Sequence, residues 1–143
     1  MSGYDTLFFQ GDDDAQMISI AGDEGRVILT RDTQIMRRRV VTGGTIKAIL
    51  IRSDDSERQM LQVIDELHLS PFFNPFTICL ECNQPLTGKS KSQVEGRVPP
   101  YVFRTRDQYM ECPHCNRLYW RGTHWQAMKE RLNQFSQHSR ERL

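Results

Sequence analysis

In the first half of the chain, short runs of successive apolar residues are separated by stretches in which apolar residues recur at helical spacing. Residues 26–30 and 48–51 each contain successive apolar residues, a pattern typical of strands buried on both faces of a parallel sheet. The stretches that follow them place apolar residues at helical spacing. Together with a β-prone segment at residues 4–9, they give the order β-α-β-α-β-α. This order predicts an α/β domain with a parallel sheet and flanking helices.

Helix start signals fit the same order. Asp13 or Asp14 can cap a first helix, whose Met17, Ile18 and Ala21 lie on one face. A short basic helix is predicted at residues 33–39. Asp54 and Glu57 have the spacing of a capping box for the helix that follows.

Two cysteine pairs organise the second half of the chain. Each pair has the two-residue spacing that lets both sulfurs of a tight turn bind one metal ion. Both pairs are followed by asparagine, which tolerates the left-handed backbone of such a turn. We therefore predict a β-rich zinc ribbon in which one structural Zn²⁺ is bound by four thiolates: Cys79, Cys82, Cys112 and Cys115.

Two disulfides are the alternative interpretation of four cysteines. No apolar run near the N-terminus resembles a signal peptide, and none approaches the roughly 18 residues of a membrane span. We therefore expect a cytoplasmic protein with reduced thiols and no membrane association, which favours zinc.

The remaining patterns predict how the second half is arranged. Residues 87–97 are polar and are expected to form a mobile insertion, and residues 98–103 are expected to be extended because they contain two prolines. A final helix starts at Thr123. Its stripe is Trp125, Met128, Leu132 and Phe135. The predicted division is a first domain at 1–70, a linker at 71–75, the ribbon with its helix at 76–135 and a polar tail at 136–143.

Charge differs between the two halves. Residues 1–70 contain 8 basic and 12 acidic side chains, whereas residues 97–143 contain 9 basic and 4 acidic ones. The net charges are therefore −4 and +5. This asymmetry indicates that the C-terminal half faces a polyanion, although a solvated surface is the simpler explanation.

Acidic residues follow the predicted strands or begin the predicted helices of the first domain. They are residues 12–14, Asp32, and residues 54–55. In a parallel sheet these positions share one edge, where carboxylates can bind Mg²⁺ or Mn²⁺ and support hydrolysis of a phosphodiester. The alternative is that Asp14 and Asp54 only cap helices and that residues 12–13 form a solvated turn. Asp32 fits that alternative least well, because it lies just past the end of a buried strand, where such folds bind ligands.

Arginines alternate with aromatic residues between positions 101 and 131. Cations position phosphates and aromatic rings stack on bases, so this pattern is typical of surfaces that bind single-stranded RNA. Core packing competes as an explanation for the aromatic residues. The candidate RNA-binding residues are Arg37 and Arg38, near Asp32, and Arg104, Arg106 and Arg121 in the second half.

Several segments resemble one known family. They are Gly3-Tyr4-Asp5-Thr6, the acids at 12–14, residues 24–32, Phe76-Thr77, residues 97–102 and residues 119–125. They are similar to the prokaryotic PIN-like RNase family named for the C-terminal domain of the exonuclease Mut-seven. The resemblance covers about residues 3–132. It implies a PIN-like nuclease fold with an appended zinc ribbon, Mg²⁺ or Mn²⁺ as the catalytic ion, and RNA as substrate. By motif position, Asp14 and Asp32 would be acids that bind the catalytic metal.

The start of the chain departs from this family. Its members usually begin with a further strand that ends in an aspartate, followed by a helix, whereas here Met1-Ser2 directly precede Gly3. We therefore expect a partial nuclease domain with weak or absent activity. Its unprotected sheet edge would accept a protein partner or a second copy.

Three functions remain in consideration. The first is a metal-dependent ribonuclease that acts on single-stranded RNA. The second is a non-catalytic adaptor that binds RNA or protein. The third, a zinc-ribbon accessory factor in transcription or translation, rests on the cysteines alone.

Overall fold

The structure, a computed structural model, describes the backbone of residues 2–70 and 74–141. Within these ranges it describes all side chains except those of residues 124, 136 and 138–141. The chain divides into two compact units: the α/β unit, Phe8–Ser70, and the ribbon unit, Met1–Leu7 with Pro71–Leu143. The predicted linker at 71–75 lies partly outside the described residues. None of the described helices is long and apolar enough to cross a membrane.

The α/β unit contains four helices and two strands. In chain order they are α1 (Asp14–Glu24), β1 (Ile28–Thr30), α2 (Thr33–Met36), α3 (Arg39–Thr42), β2 (Ala48–Leu50) and α4 (Ser56–Leu67). The strands are parallel, with Leu29 in register with Ile49. With the antiparallel sheet of the ribbon unit, this confirms the predicted mixed α/β fold class.

Aspartates begin three of these helices. The bonds run from Ala15 N–H to Asp13 at 2.9 Å, from Gln34 N–H to Asp32 at 2.7 Å and from Arg58 N–H to Asp55 at 2.9 Å. Each bond satisfies a backbone donor that the first helical turn leaves without a partner. The predicted capping box at Asp54 and Glu57 is wrong, because Asp55 provides the cap one residue later.

Apolar side chains from several elements form the core of the α/β unit. Its buried members are Ala21, Ile28, Ile35 and Ile46. Met17 and Ile18 pack against them, which confirms the predicted apolar face of α1. The side chains of Ile49 in β2 and Ile64 in α4 are also buried. Because β1 and β2 are parallel and in register, their carboxyl ends lie at one edge of the sheet.

The segment predicted as the first strand forms none. Residues 4–9 contain no strand, so the sheet has two strands rather than three. The first seven residues belong to the ribbon unit, where the Thr6 N–H donates to Asn83 Oδ1 at 2.9 Å. β propensity depends on context, and here a contact distant in sequence overrides it.

The predicted basic helix at 33–39 is two short helices. Arg38 has an extended backbone, with φ −62° and ψ 139°, and separates α2 from α3.

The ribbon unit is built on an antiparallel sheet. In chain order its elements are β3 (Thr87–Lys89), a 3-10 helix (Lys91–Val94), α5 (Pro100–Thr105), β4 (Tyr109–Glu111), β5 (Leu118–Trp120) and α6 (Thr123–Glu141). The strand order is β3-β4-β5. Its core cluster contains Val94, Val98 and Tyr109.

Two predictions for the ribbon unit are wrong. Residues 87–97 are not a mobile insertion, because they contain β3 and the 3-10 helix, whose Val94 is 0% exposed. Residues 98–103 are not extended throughout, because α5 begins at Pro100. Proline is favoured in the first turn of a helix, where its missing N–H costs no hydrogen bond.

The final helix starts at Thr123, as predicted, and its backbone continues to Glu141, past the predicted end at 135. The predicted apolar stripe is confirmed. Leu132 is buried, and Trp125, Met128 and Phe135 are partly buried.

Candidate functional site

The two cysteine turns repeat one another bond by bond. Backbone bonds run from Asn83 N–H to Cys79 O at 3.0 Å and from Asn116 N–H to Cys112 O at 2.9 Å. The asparagines have φ of 54° and 59°, the left-handed backbone predicted for them. In each turn the backbone N–H of the second cysteine also donates to the sulfur of the first. The N–S distance is 3.4 Å from Cys82 to Cys79 and 3.5 Å from Cys115 to Cys112. Both turns therefore direct their sulfurs toward one point.

The four thiols meet there. Their sulfur atoms all lie within 4.8 Å of one another, and the Cys79 and Cys115 sulfurs are 3.7 Å apart. Four sulfurs placed tetrahedrally at about 2.3 Å from zinc are separated by about 3.8 Å. All four cysteines are free, so the disulfide alternative is wrong. The cluster fits a closed structural zinc site.

Burial and hydrogen bonds shift the pKa values of two of the cysteines in opposite directions. Burial raises the pKa of the Cys79 thiol, but bonds from the Tyr119 hydroxyl and from backbone N–H groups outweigh it and lower the pKa from 9.0 to about 6. The bond that Cys82 shares with Cys115, together with burial and the charge of Cys115, raises the pKa of Cys82 to about 12. Binding of a metal ion would therefore release protons from the cluster.

The acidic residues of the α/β unit have partners other than one another. Asp32 caps α2, and Asp14, the first residue of α1, lies 3.7 Å from the guanidinium of Arg38. An ion pair joins Arg31, after β1, to Asp54, after β2, so the two strands do end at one edge. Among the side chains that the structure describes, the cysteines are the one group of three or more placed to share a metal ion. Metal binding by Asp14 and Asp32 stays a prediction.

A family model described as the Mut7-C RNAse domain matches residues 1–132. The chain belongs to this family. Comparison with curated proteins gave no match, and comparison with solved structures gave none either.

In this Mut7-C member the candidate RNA-binding arginines fall in both units. Arg37 is exposed at the end of α2, and Arg38 pairs with Asp14. In the ribbon unit, Arg104 is exposed on α5 and Arg106 follows it, partly buried. The guanidinium of Arg121 lies 4.9 Å from the centre of the Trp125 ring. RNA binding by these residues stays a prediction.

Tyr119 supports the cysteine cluster of this Mut7-C protein, and sequence analysis did not assign it that role. Its hydroxyl lies 3.1 Å from the Cys79 sulfur and accepts a bond from Leu80 N–H at 3.2 Å. Burial and the bond to Cys79 raise the pKa of Tyr119 to about 12, so the phenol remains a donor. Because 40 residues separate Tyr119 from Cys79, no local pattern could have revealed this contact.

Two further supports of the ribbon unit were also missed. The Asn83 side chain donates to Asp5, which fastens the N-terminal segment to the first cysteine turn. Glu111, only 7% exposed, accepts from Arg97 and lies 3.2 Å from the Lys89 ammonium. These two cations, Arg97 first, hold the pKa of Glu111 below its usual range.

Proposed function

We propose that this protein is a metal-dependent ribonuclease of the PIN-like type that acts on single-stranded RNA. The observation that carries the proposal is the match of the Mut7-C RNAse domain to residues 1–132. The free thiols of its cysteines suit a reducing compartment such as the cytoplasm. The cysteine cluster would bind Zn²⁺ as a structural ion, leaving catalysis to the other unit.

The edge of the parallel sheet supports this assignment. Asp32 lies two residues past the end of β1, and ligands of parallel α/β sheets bind at the carboxyl ends of the strands. Asp14 and Asp32 would hold Mg²⁺ or Mn²⁺. The ion would supply an activated water and neutralise charge on the phosphate. Arg38, beside Asp14, would attract and orient the phosphodiester.

The adaptor is the second candidate, and one observation favours it. Asp32 already caps α2 and Asp14 already pairs with Arg38, so neither carboxylate depends on a metal ion for a partner. An adaptor of this kind would bind RNA without cleaving it.

Asparagine substitutions separate the two candidates. Asn caps a helix about as well as Asp does, so Asp32→Asn removes the charge while retaining the cap. We expect cleavage of a labelled single-stranded RNA by the zinc-loaded protein to be slow and to require added Mg²⁺ or Mn²⁺. Both Asp14→Asn and Asp32→Asn should abolish this cleavage and leave RNA binding intact or stronger.

The matched control is Asp23→Asn. Asp23 is an exposed acid near the C-terminal end of α1, whereas Asp14 is the first residue of that helix. Its substitution changes the net charge by the same amount. It should leave cleavage unchanged. If the parent protein binds RNA without cutting it in either ion, or if Asp32→Asn cuts as fast as the parent, the adaptor replaces the nuclease.

A further inference from the structure

The ribbon unit contains a pocket, lined in part by Phe76 and Trp125, that the proposed nuclease site does not use. Its volume is about 460 Å³, within the usual range for small-ligand sites. Its lining is mostly apolar and aromatic, and includes Phe76, Tyr119, Trp120, Trp125 and Met128. The one charged residue among its described lining is a cation, Arg131. The pocket therefore suits a flat apolar group that carries negative charge at one side.

Three of the aromatic rings that line the pocket pack against one another. The Phe76 ring centre lies 5.3 Å from that of Trp125 and 6.4 Å from that of Tyr119, both in edge-to-face geometry. Phe76 has a φ of 72°, a left-handed backbone that bulky residues rarely adopt. Such outliers concentrate at ligand sites, where surrounding packing maintains them. Here the packing of Phe76 against Trp125 holds its ring in the pocket wall.

The charge around the pocket favours a polyanion. The Arg121 guanidinium lies 4.9 Å from the centre of the Trp125 ring, and Arg131 lines the pocket itself. The nearby Glu81 is 3.2 Å from Arg117, which offsets its charge. Residues 97–143 carry a net charge of +5. An apolar peptide would fill the lining but would gain nothing from these cations.

We propose that this pocket binds one base of single-stranded RNA, with the adjoining phosphates beside Arg121 and Arg131. The inference rests on the proposed function, for which it names a substrate subsite. Stacking on aromatic rings tolerates any base, because every base has a π-face. The Tyr119 hydroxyl is already engaged by Cys79 and Leu80, so it is not free to read base edges. We therefore expect little preference among the four bases.

Intrinsic fluorescence tests this pocket selectively. The chain has two tryptophans, Trp120 and Trp125, and both line the pocket. Uridine hexanucleotide should quench their emission in a saturable way, without added Mg²⁺ or Mn²⁺. A hexamer of the same ribose phosphates without bases should bind weakly and quench little. Equal quenching by the two hexamers, or none by the RNA, would overturn the proposal.

Substitutions at Ala127 avoid disturbing the fold. Ala127 is exposed on α6 and lines the pocket, and both Glu and Gln are good helix formers. Ala127→Glu introduces a carboxylate beside the phosphates and should raise the RNA dissociation constant roughly 5-fold or more relative to Ala127→Gln. That difference should shrink as salt is added. Equal effects of the two substitutions would contradict phosphate binding and fit a peptide site.

Removal of a ring tests stacking directly. Trp125→Ala should raise the dissociation constant roughly 10-fold, whereas Trp125→Phe should retain most of the affinity. Retained zinc content in both variants would show that each is folded.

Failure of this subsite is distinguishable from failure of the nuclease: RNA cleavage without tryptophan quenching rejects the pocket alone. Quenching without cleavage rejects only the nuclease.

Discussion

In the ribbon unit the metal-binding side chains meet one another, whereas in the α/β unit the carboxylates meet backbone N–H groups and arginines. The four sulfurs lie within 4.8 Å of one another. By contrast, three aspartates of the α/β unit cap helices, and Asp14 and Asp54 pair with arginines. The difference follows from chemistry, because aspartate is also a common helix cap while cysteine pairs in turns have few other uses.

The two units also differ in what stabilises them. The α/β unit has a core of buried isoleucines, including Ile28, Ile35 and Ile46. The ribbon unit has a smaller buried cluster of Val94, Val98 and Tyr109, and its cysteine turns lie outside that cluster. We therefore expect the ribbon unit to depend on zinc and the α/β unit to depend on apolar burial.

The largest effect should come from removing a zinc ligand. Cys112 is 0% exposed, and Cys112→Ser should abolish zinc binding and unfold the ribbon unit. Structural zinc sites contribute on the order of 10 kcal/mol or more to folding. The tryptophans both belong to the ribbon unit, so their emission reports its unfolding, while circular dichroism follows the helices that remain.

The matched control for this prediction is His114→Ala, in the same turn. His114 is exposed and lies outside the four-cysteine cluster, so its removal should leave one zinc ion per chain. If Cys112→Ser retains zinc and its tryptophan emission, the dependence of the ribbon unit on the metal is refuted.

A smaller effect should come from the core of the α/β unit. Ile49 is 1% exposed, and Ile49→Ala should reduce the free energy of unfolding of this unit by about 2 to 5 kcal/mol. Its register partner Leu29 is 45% exposed, so Leu29→Ala should cost about 1 kcal/mol or less.

Urea unfolding followed by two probes measures both substitutions. In Ile49→Ala, the unfolding transition of the α/β unit, followed by far-ultraviolet circular dichroism, should move to a lower urea concentration. The transition followed by tryptophan emission should stay at the urea concentration of the parent protein. If both transitions move together, the two units unfold as one and the comparison between them fails.

Local signals in the sequence predicted much of this structure. The unalternated apolar runs predicted β1 and β2, the apolar face of α1 was confirmed, and the repeated Cys-x-x-Cys-Asn pattern predicted both the meeting of four sulfurs and the backbone of Asn83 and Asn116. Each strand, helix face and cysteine turn depends on residues close together in the chain, and the two turns meet because both carry ligands for one metal ion.

Contacts between distant residues could not be predicted in this way. Residues 4–9 have β propensity, but the bond from Thr6 to Asn83 spans 77 positions. The Pro99-Pro100 pair was interpreted as extended, although proline fits the first turn of α5. The roles of Asp14 and Asp32 remain predictions for a related reason. An aspartate at a strand exit has the same local pattern whether it caps a helix or binds a metal ion.

A third prediction tests the difference between the two units at a single hydrogen bond of the ribbon unit. Tyr119→Phe removes the hydroxyl 3.1 Å from the Cys79 sulfur but keeps the ring that packs against Phe76. Because such outer hydrogen bonds orient metal ligands, the zinc dissociation constant should rise roughly 10- to 100-fold, measured by competition with a chromophoric chelator. The lost bond should also raise the pKa of Cys79 from about 6, which slows alkylation of the metal-free thiol at neutral pH.

Tyr109→Phe is the control, because the Tyr109 hydroxyl donates to the backbone carbonyls of Val102 and Arg106. That variant should lose stability without losing zinc affinity, and equal zinc affinities in the two variants would show that Tyr119 only packs.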